Sequence, residues 1–302
     1  MDLGGTGATT VSTATVPAVL RKLCDDAAVF PPGSMPLPEA VPAHERHTES
    51  AYADLVGPLI VAAPALEDLG PLLGDGHPEL AVTVPAGPAG IESVLAEVRN
   101  LPADLRALEV VVPDGCTAPD LVTALDRACR GSEQVDVFVE VPCDDRRPAI
   151  IEALATTRYR AKFRTGGVRA ELHPDEAELA SAIKTVVDAE VPFKATAGLH
   201  HAIRNTDPET GFEQHGFLNV LLAADAAVRG ASAGELSDVL AERDGAAIAA
   251  RVEELDGSRA DAARAQFVSF GTCSIDDPLT ELVGLNLFPA SLATTSGRGV
   301  TA

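Results

Sequence analysis

From residue 57 onward the chain alternates short β-branched runs with longer stretches rich in alanine and leucine. The runs are PLIVAA (58–63), LAVTVP (80–85), LEVVVP (108–113), VDVFVEVP (135–142), RAKFRT (160–165), PFKAT (192–196) and FVSFGT (267–272). Helix-length segments fill the intervals near 65–74, 88–100, 118–130, 147–157, 175–189 and 216–256. A helix near 15–24 followed by a strand in AAVFPP (27–32) brings the strands to eight. Strand–helix alternation implies a parallel sheet covered by helices. Eight units predict an α/β fold, a (β/α)8 or TIM barrel, as a single domain over 15–290 with flexible tails at 1–14 and 291–302. A doubly wound open sheet needs a glycine-rich phosphate turn after its first strand, and FPPGSMP does not supply one. The longest irregular stretches, 31–57 and 199–216, both follow strands, the side on which barrels carry their active-site loops.

Side chains alternate across a strand, so each run divides into an outward and an inward set. Leu108, Val110 and Val112 pack outward on the helices and leave Glu109 inside. Val137, Val139 and Val141 point out, which leaves Asp136, Phe138 and Glu140 inside. Phe163 faces out while Lys162 and Arg164 face in, and Phe193 and Ala195 face out while Lys194 and Thr196 face in. One interior therefore receives two of the four lysines in the chain, an arginine and at least two carboxylates. Burying ions costs several kcal/mol each unless they are paired. A structural charge network is one reading; the position of both lysines near the C-terminal ends of adjacent strands favours a site.

The composition narrows the partners. With 302 residues and 46% apolar content the chain can bury a full core. A formal charge of −22 repels nucleic acid and anionic membranes, so neither is expected as a partner. There is no run of eighteen apolar residues and no basic, apolar leader pattern at the start, and the five cysteines are scattered without a CxxC pair. A cytoplasmic protein is expected. The sequence does not define the oligomeric state, and a homo-oligomer is compatible with it.

Several motifs together resemble one family. Lys162-Phe163-Arg164-Thr165-Gly166 is similar to the K-x-x-T-G strand of deoxyribose-phosphate aldolases, which carries their Schiff-base lysine. Phe193-Lys194-Ala195-Thr196-Ala197-Gly198-Leu199 resembles the next strand of that family, with its second lysine, and Phe270-Gly271-Thr272-Cys273-Ser274 resembles its last-strand phosphate loop. Glu109 stands where the family has a catalytic aspartate, and Glu140 matches a glutamate ending the fifth strand. The resemblance spans about residues 105–275 with the motifs in order on successive strands. It implies a class I aldolase-like lyase of carbohydrate metabolism acting on a small carbonyl compound. There are three departures: glutamate for aspartate at 109, T-A-G in the second-lysine motif, and Asp276 and Asp277 after the last strand. The last two leave open whether a phosphate group is required, so a small aldehyde, a sugar and a sugar phosphate all remain expected substrates.

The chemistry follows from the residue types. A dry cavity and a neighbouring cation both favour a neutral lysine, so Lys194 is expected to lower the pKa of Lys162 and let it attack a carbonyl. Glu109 would move protons, supported by Glu140. Thr165, Gly166, Gly167, Gly198 and Gly271 allow close backbone approach to a ligand, and Arg164 and Arg204 are candidates for an anionic end. Thr196, His200, His201, Thr272 and Ser274 complete the substrate-facing candidates. An iminium is its own electron sink, so no cofactor and no metal is expected; His200, His201, His215 and Glu140 lack metal-ligand spacing. Cys273 reads as a packing residue, because the sequence alone places no base beside it. Two other readings remain open. The lysines could clamp an anion in an isomerase or metal-assisted lyase, or the barrel could bind a small anion without catalysis.

Overall fold

The β-branched runs form strands because their branched side chains pack well on a pleated surface against helices. In the computed structural model, which describes residues 14–74 and 76–293, they close into one barrel. In chain order the strands and main helices are β1 (Cys24–Asp26), α1 (Leu37–Thr48), β2 (Val56–Ala62), α2 (Leu66–Leu73), β3 (Glu79–Val84), α3 (Ile91–Val98), β4 (Asp104–Val111) and α4 (Ala118–Ala128). They continue with β5 (Asp136–Glu140), α5 (Arg147–Leu154), β6 (Arg160–Arg164), α6 (Glu176–Asp188) and β7 (Phe193–Thr196). A short antiparallel ribbon, β8 (Asn205–Thr206) with β9 (Glu213–Gln214), precedes α7 (Phe217–Val228), α8 (Ala233–Ala241), α9 (Gly245–Glu253) and α10 (Gly257–Gln266). Then come β10 (Phe267–Thr272), α11 (Asp276–Gly284) and α12 (Ala290–Ala293). The closed order is β1-β2-β3-β4-β5-β6-β7-β10, with every pair parallel and β10 returning to β1. The expected (β/α)8 barrel is the observed fold.

Two apolar layers separate by the alternation rule. The outer one joins strand faces such as Leu108, Val110, Val137 and Val139 to the helices. The inner one is small: Ala27, Ile60, Ala81, Ala107 and Phe138, with Phe30 and Val268 beside them, fill part of the lumen. Three alanines there leave room for the Phe138 ring, and the ring in turn lies 5.3 Å from the Lys194 amine.

Four expectations change. The first strand is Cys24–Asp26 rather than 27–32, because the backbone folds back on itself after Asp26: Phe30 N–H donates to Ala27 O and Ser34 N–H to Phe30 O. The helix near 15–24 is only a 3-10 turn at Ala18–Leu20. The stretch 31–57 contains α1, which begins just after Pro36 and tolerates Pro42 inside it. The segment 216–256 is not one helix. Ser232 and Asp244 cap new starts after short turns, and Asp256 caps α10 beyond it. Apart from residues 14 and 291–293, the expected tails lie outside the described residues. Among the described residues no helix is long and apolar enough to cross a membrane.

Candidate active site

Glu140 on β5, Lys162 on β6 and Lys194 on β7 lie side by side in register, so all three point into the lumen at one level. Glu109 reaches them from β4. Its Oε2 is 2.7 Å from Lys162 Nζ and its Oε1 is 2.5 Å from Lys194 Nζ. The two amines share one carboxylate, one on each oxygen. Lys162 Nζ also meets Glu140 Oε2 at 3.0 Å, and Glu140 Oε1 accepts from Arg164 Nε at 3.2 Å. The structure thus brings together Glu109, Glu140, Lys162 and Lys194, with Arg164 at the rim.

Two members were not legible in the sequence. Asp25 Oδ2 stands 2.5 Å from Lys194 Nζ, and Ser269 Oγ donates to the same oxygen at 2.7 Å. Asp25 was hidden by the misplaced first strand; with β1 at 24–26, alternation turns Cys24 to the outer core and Asp25 inward. Ser269 was hidden by a bulge. The register of β10 against β7 shifts between Phe267 and Phe270, so both phenylalanines pack outward, on Phe193 and Phe217. The result is one hydrogen-bonded chain from Ser269 through Asp25, Lys194, Glu109, Lys162 and Glu140 to Arg164. Exposure grades along it: Lys194 is 1% exposed and Lys162 4%, Glu140 18% and Arg164 43%. Both amines are buried, and Lys162 is the one next to the more exposed carboxylate, Glu140.

Burial pushes the Glu109 carboxyl up, but the ammonium groups of Lys162 and Lys194 outweigh it and hold it at about 2. Glu140 is also held below the usual range, its burial offset by Lys162 and Arg164. Burial would neutralise Lys194, yet Asp25 and Glu109 raise it above the ordinary lysine value. Asp25 goes the other way: desolvation exceeds the pull of Lys194, and its carboxyl is raised. Lys194 is therefore not the bare cation beside Lys162 that the sequence suggests. Its charge is met by two carboxylates.

The remaining candidates disperse. Thr165 Oγ1 donates to Ala197 O at 2.6 Å and ties the β6 and β7 loops together, and Gly166 and Gly198 approach so closely that a Cβ on Gly166 would lie 2.7 Å from Gly198 Cα. Gly198 has φ +71° and Ala197 φ +64°, a bend that glycine accepts and alanine resists. Gly167 N–H donates to His173 Nε2. Thr196 and Gly271 are register partners beside the lysines, while Thr272 Oγ1 donates to Ser274 O within the last loop. Arg204 does not join the ionic chain. It is buried against Glu176 of α6 at 2.6 Å and near His215. His201 pairs with Glu281 at 2.6 Å, His215 Nε2 with Pro174 O, and His200 with Cys273, so these histidines face three different partners. Among the described residues, no group of three or more His, Cys, Asp or Glu side chains is disposed to hold a metal ion. A groove of about 680 Å³ between α2 and α3, lined by Leu66, Val84 and Val94, contains none of the residues of the ionic chain.

No family model and no curated protein matches the chain. What the fold and the lumen define is a class: a single-domain (β/α)8 barrel whose lumen holds an ionic chain of two lysines and three carboxylates.

Proposed function

We propose that the protein is a Schiff-base lyase of the class I aldolase type, acting on a small aldehyde, ketone or sugar. The observation that carries this reading is the sharing of Glu109 by the two amines. A lysine must shed a proton before it can attack; Glu109 Oε2 at 2.7 Å is its nearest acceptor, and because that carboxyl is held at about 2 it would relay the proton rather than keep it. Lys162 Nζ then adds to the carbonyl carbon, water leaves, and the iminium draws electrons from the adjacent C–C or C–H bond. Glu109 returns protons, with Lys194 on its other oxygen restoring its charge state, and Asp25 beyond Lys194 is the carboxyl most disposed to hold a proton. The arrangement also fits the resemblance of the two lysine strands to deoxyribose-phosphate aldolases. It adds Glu109 in place of an aspartate, one methylene longer.

The anion-clamp reading has less support. Each amine already faces two carboxylates, and Asp25, Glu109 and Glu140 outnumber the lysines unless Arg164 is counted. An added phosphate would have to displace a carboxylate. The deciding experiment is borohydride trapping with small aldehydes and ketones, followed by mass mapping of the modified peptide. A reduced adduct on Lys162 is expected. Turnover of a carbonyl substrate without any lysine adduct would remove the Schiff-base mechanism.

A further inference from the structure

Outside the ionic chain, the rim carries a second nucleophile. Cys273 follows β10 directly, and its Sγ lies 3.3 Å from Nδ1 of His200, in the loop after the neighbouring strand β7. Both side chains are part-buried rather than sealed. The backbone N–H groups of Gly33 and of Cys273 itself face the sulfur, and the Gly33 backbone packs against the Cys273 side chain. Among the described residues no other cysteine thiol is paired with an imidazole. Cys116 meets a backbone carbonyl, Cys143 the Glu178 carboxylate, and Cys24 and Cys129 are buried.

We propose that Cys273 and His200 form a nucleophile–base pair, a second covalent site at the rim that adds reversibly to the carbonyl carbon of a small aldehyde. The choice of an aldehyde rests on the Schiff-base reading of Lys162; the pair itself does not. In the step, the thiol proton passes to His200 Nδ1 and the sulfur forms an S–C bond. The carbonyl π pair moves onto oxygen, and His200 returns the proton there, giving a thiohemiacetal with no net oxidation. Burial and the adjacent His201 keep His200 neutral, able to accept a proton. Burial also raises the Cys273 thiol, against the pull of the Gly33 N–H, so the resting pair is S–H beside a neutral ring. The charged groups facing the pair are Asp26 at the end of β1, Asp277 on α11, Asp207 before β9 and His201. A thiol held protonated reacts only as fast as its base removes the proton, so its reactivity should depend on His200.

The test is the rate of iodoacetamide alkylation at each cysteine of the intact protein, read by peptide mapping, with and without propanal. Cys273 is expected to label faster than Cys116, and His200→Gln to slow it by about tenfold or more while Cys116 is unmoved. Buried Cys24 stays unlabelled in any variant that remains folded, which separates loss of the base from loss of the fold. Propanal is expected to protect Cys273, and to do so equally in Lys162→Ala. Labelling of Cys273 that ignores His200, or protection that disappears in Lys162→Ala, overturns the proposal. Protection of Cys273 in a protein that gives no borohydride adduct supports this pair and removes the Schiff-base reading alone.

Discussion

Glu109 is the residue that joins the two amines, one on each of its oxygens. Glu109→Gln keeps the shape but leaves an amide that cannot take a proton from Lys162. Turnover of a carbonyl substrate is expected to fall by about 10²–10⁴, measured as kcat, with the protein still folded. The lysines should separate in the opposite sense. Lys162→Ala leaves Glu109 on Lys194 and Glu140 on Arg164, so it should cost less stability than the loss of Lys194 while borohydride trapping is lost. Lys194→Met strands Asp25, whose cation it is, and should cost about 3–5 kcal/mol, measured by denaturant unfolding. Equal destabilisation by both substitutions would mean that the ionic chain serves the fold alone.

At the scale of strands, the inward sets of β4, β5, β6 and β7 were legible because each carries a regular alternation of apolar and polar residues. β1 was not, because Cys24-Asp25-Asp26 lacks the branched residues that announce a strand, and the apolar AAVF after it drew the assignment forward. Its strandedness comes from its neighbours: β10 and β2 pair with it on both sides. Ser269 needed the bulge, which no period-two count contains. Glycine supplies a further positional clue. A Cβ on Gly57 of β2 would lie 2.0 Å from Asp25 Oδ1, so the space for that carboxylate exists only because residue 57 has no side chain. Gly57→Ala should displace Asp25 from Lys194 and destabilise by about 1–3 kcal/mol, visible as a lower midpoint in a urea titration. An unchanged midpoint would show that Asp25 can move without cost.

For the whole molecule, the same ion pairs set the response to pH. Glu109 and Glu140 have folded pKa values below their unfolded ones, so the stability they contribute is present above about pH 4.3 and lost as pH falls towards the folded values. For Glu109, a drop to about 2 corresponds to roughly 3 kcal/mol at neutral pH. Lys194 is raised, so its contribution holds below the ordinary lysine range and is lost only above it. Asp25 is raised too and works against the glutamates, favouring the fold when it is protonated. Unfolding monitored against pH should therefore show stability falling between about pH 4 and pH 2, less steeply in Glu109→Gln. An identical acid limb in that variant would contradict the assignment.

The hydrogen bond from Ser269 to Asp25 spans 244 residues and joins the last strand of the barrel to the first, and the ion pair from Lys194 to Asp25 spans 169. The inner wall is thus fastened across the seam where the ring must shut, and the Ser269 fastening cannot form until the last strand has joined the first. Contacts so distant along the chain are expected to form late in folding, and late contacts act mainly on the rate of opening. Ser269→Ala should accordingly hasten unfolding in stopped-flow measurements while leaving the refolding rate almost unchanged; a slower refolding arm instead would place ring closure in the folding nucleus. On this view the inner end of the ionic chain, Lys194 with Asp25 and Ser269, also acts as the latch of the ring, and the chain is complete only once the barrel has shut.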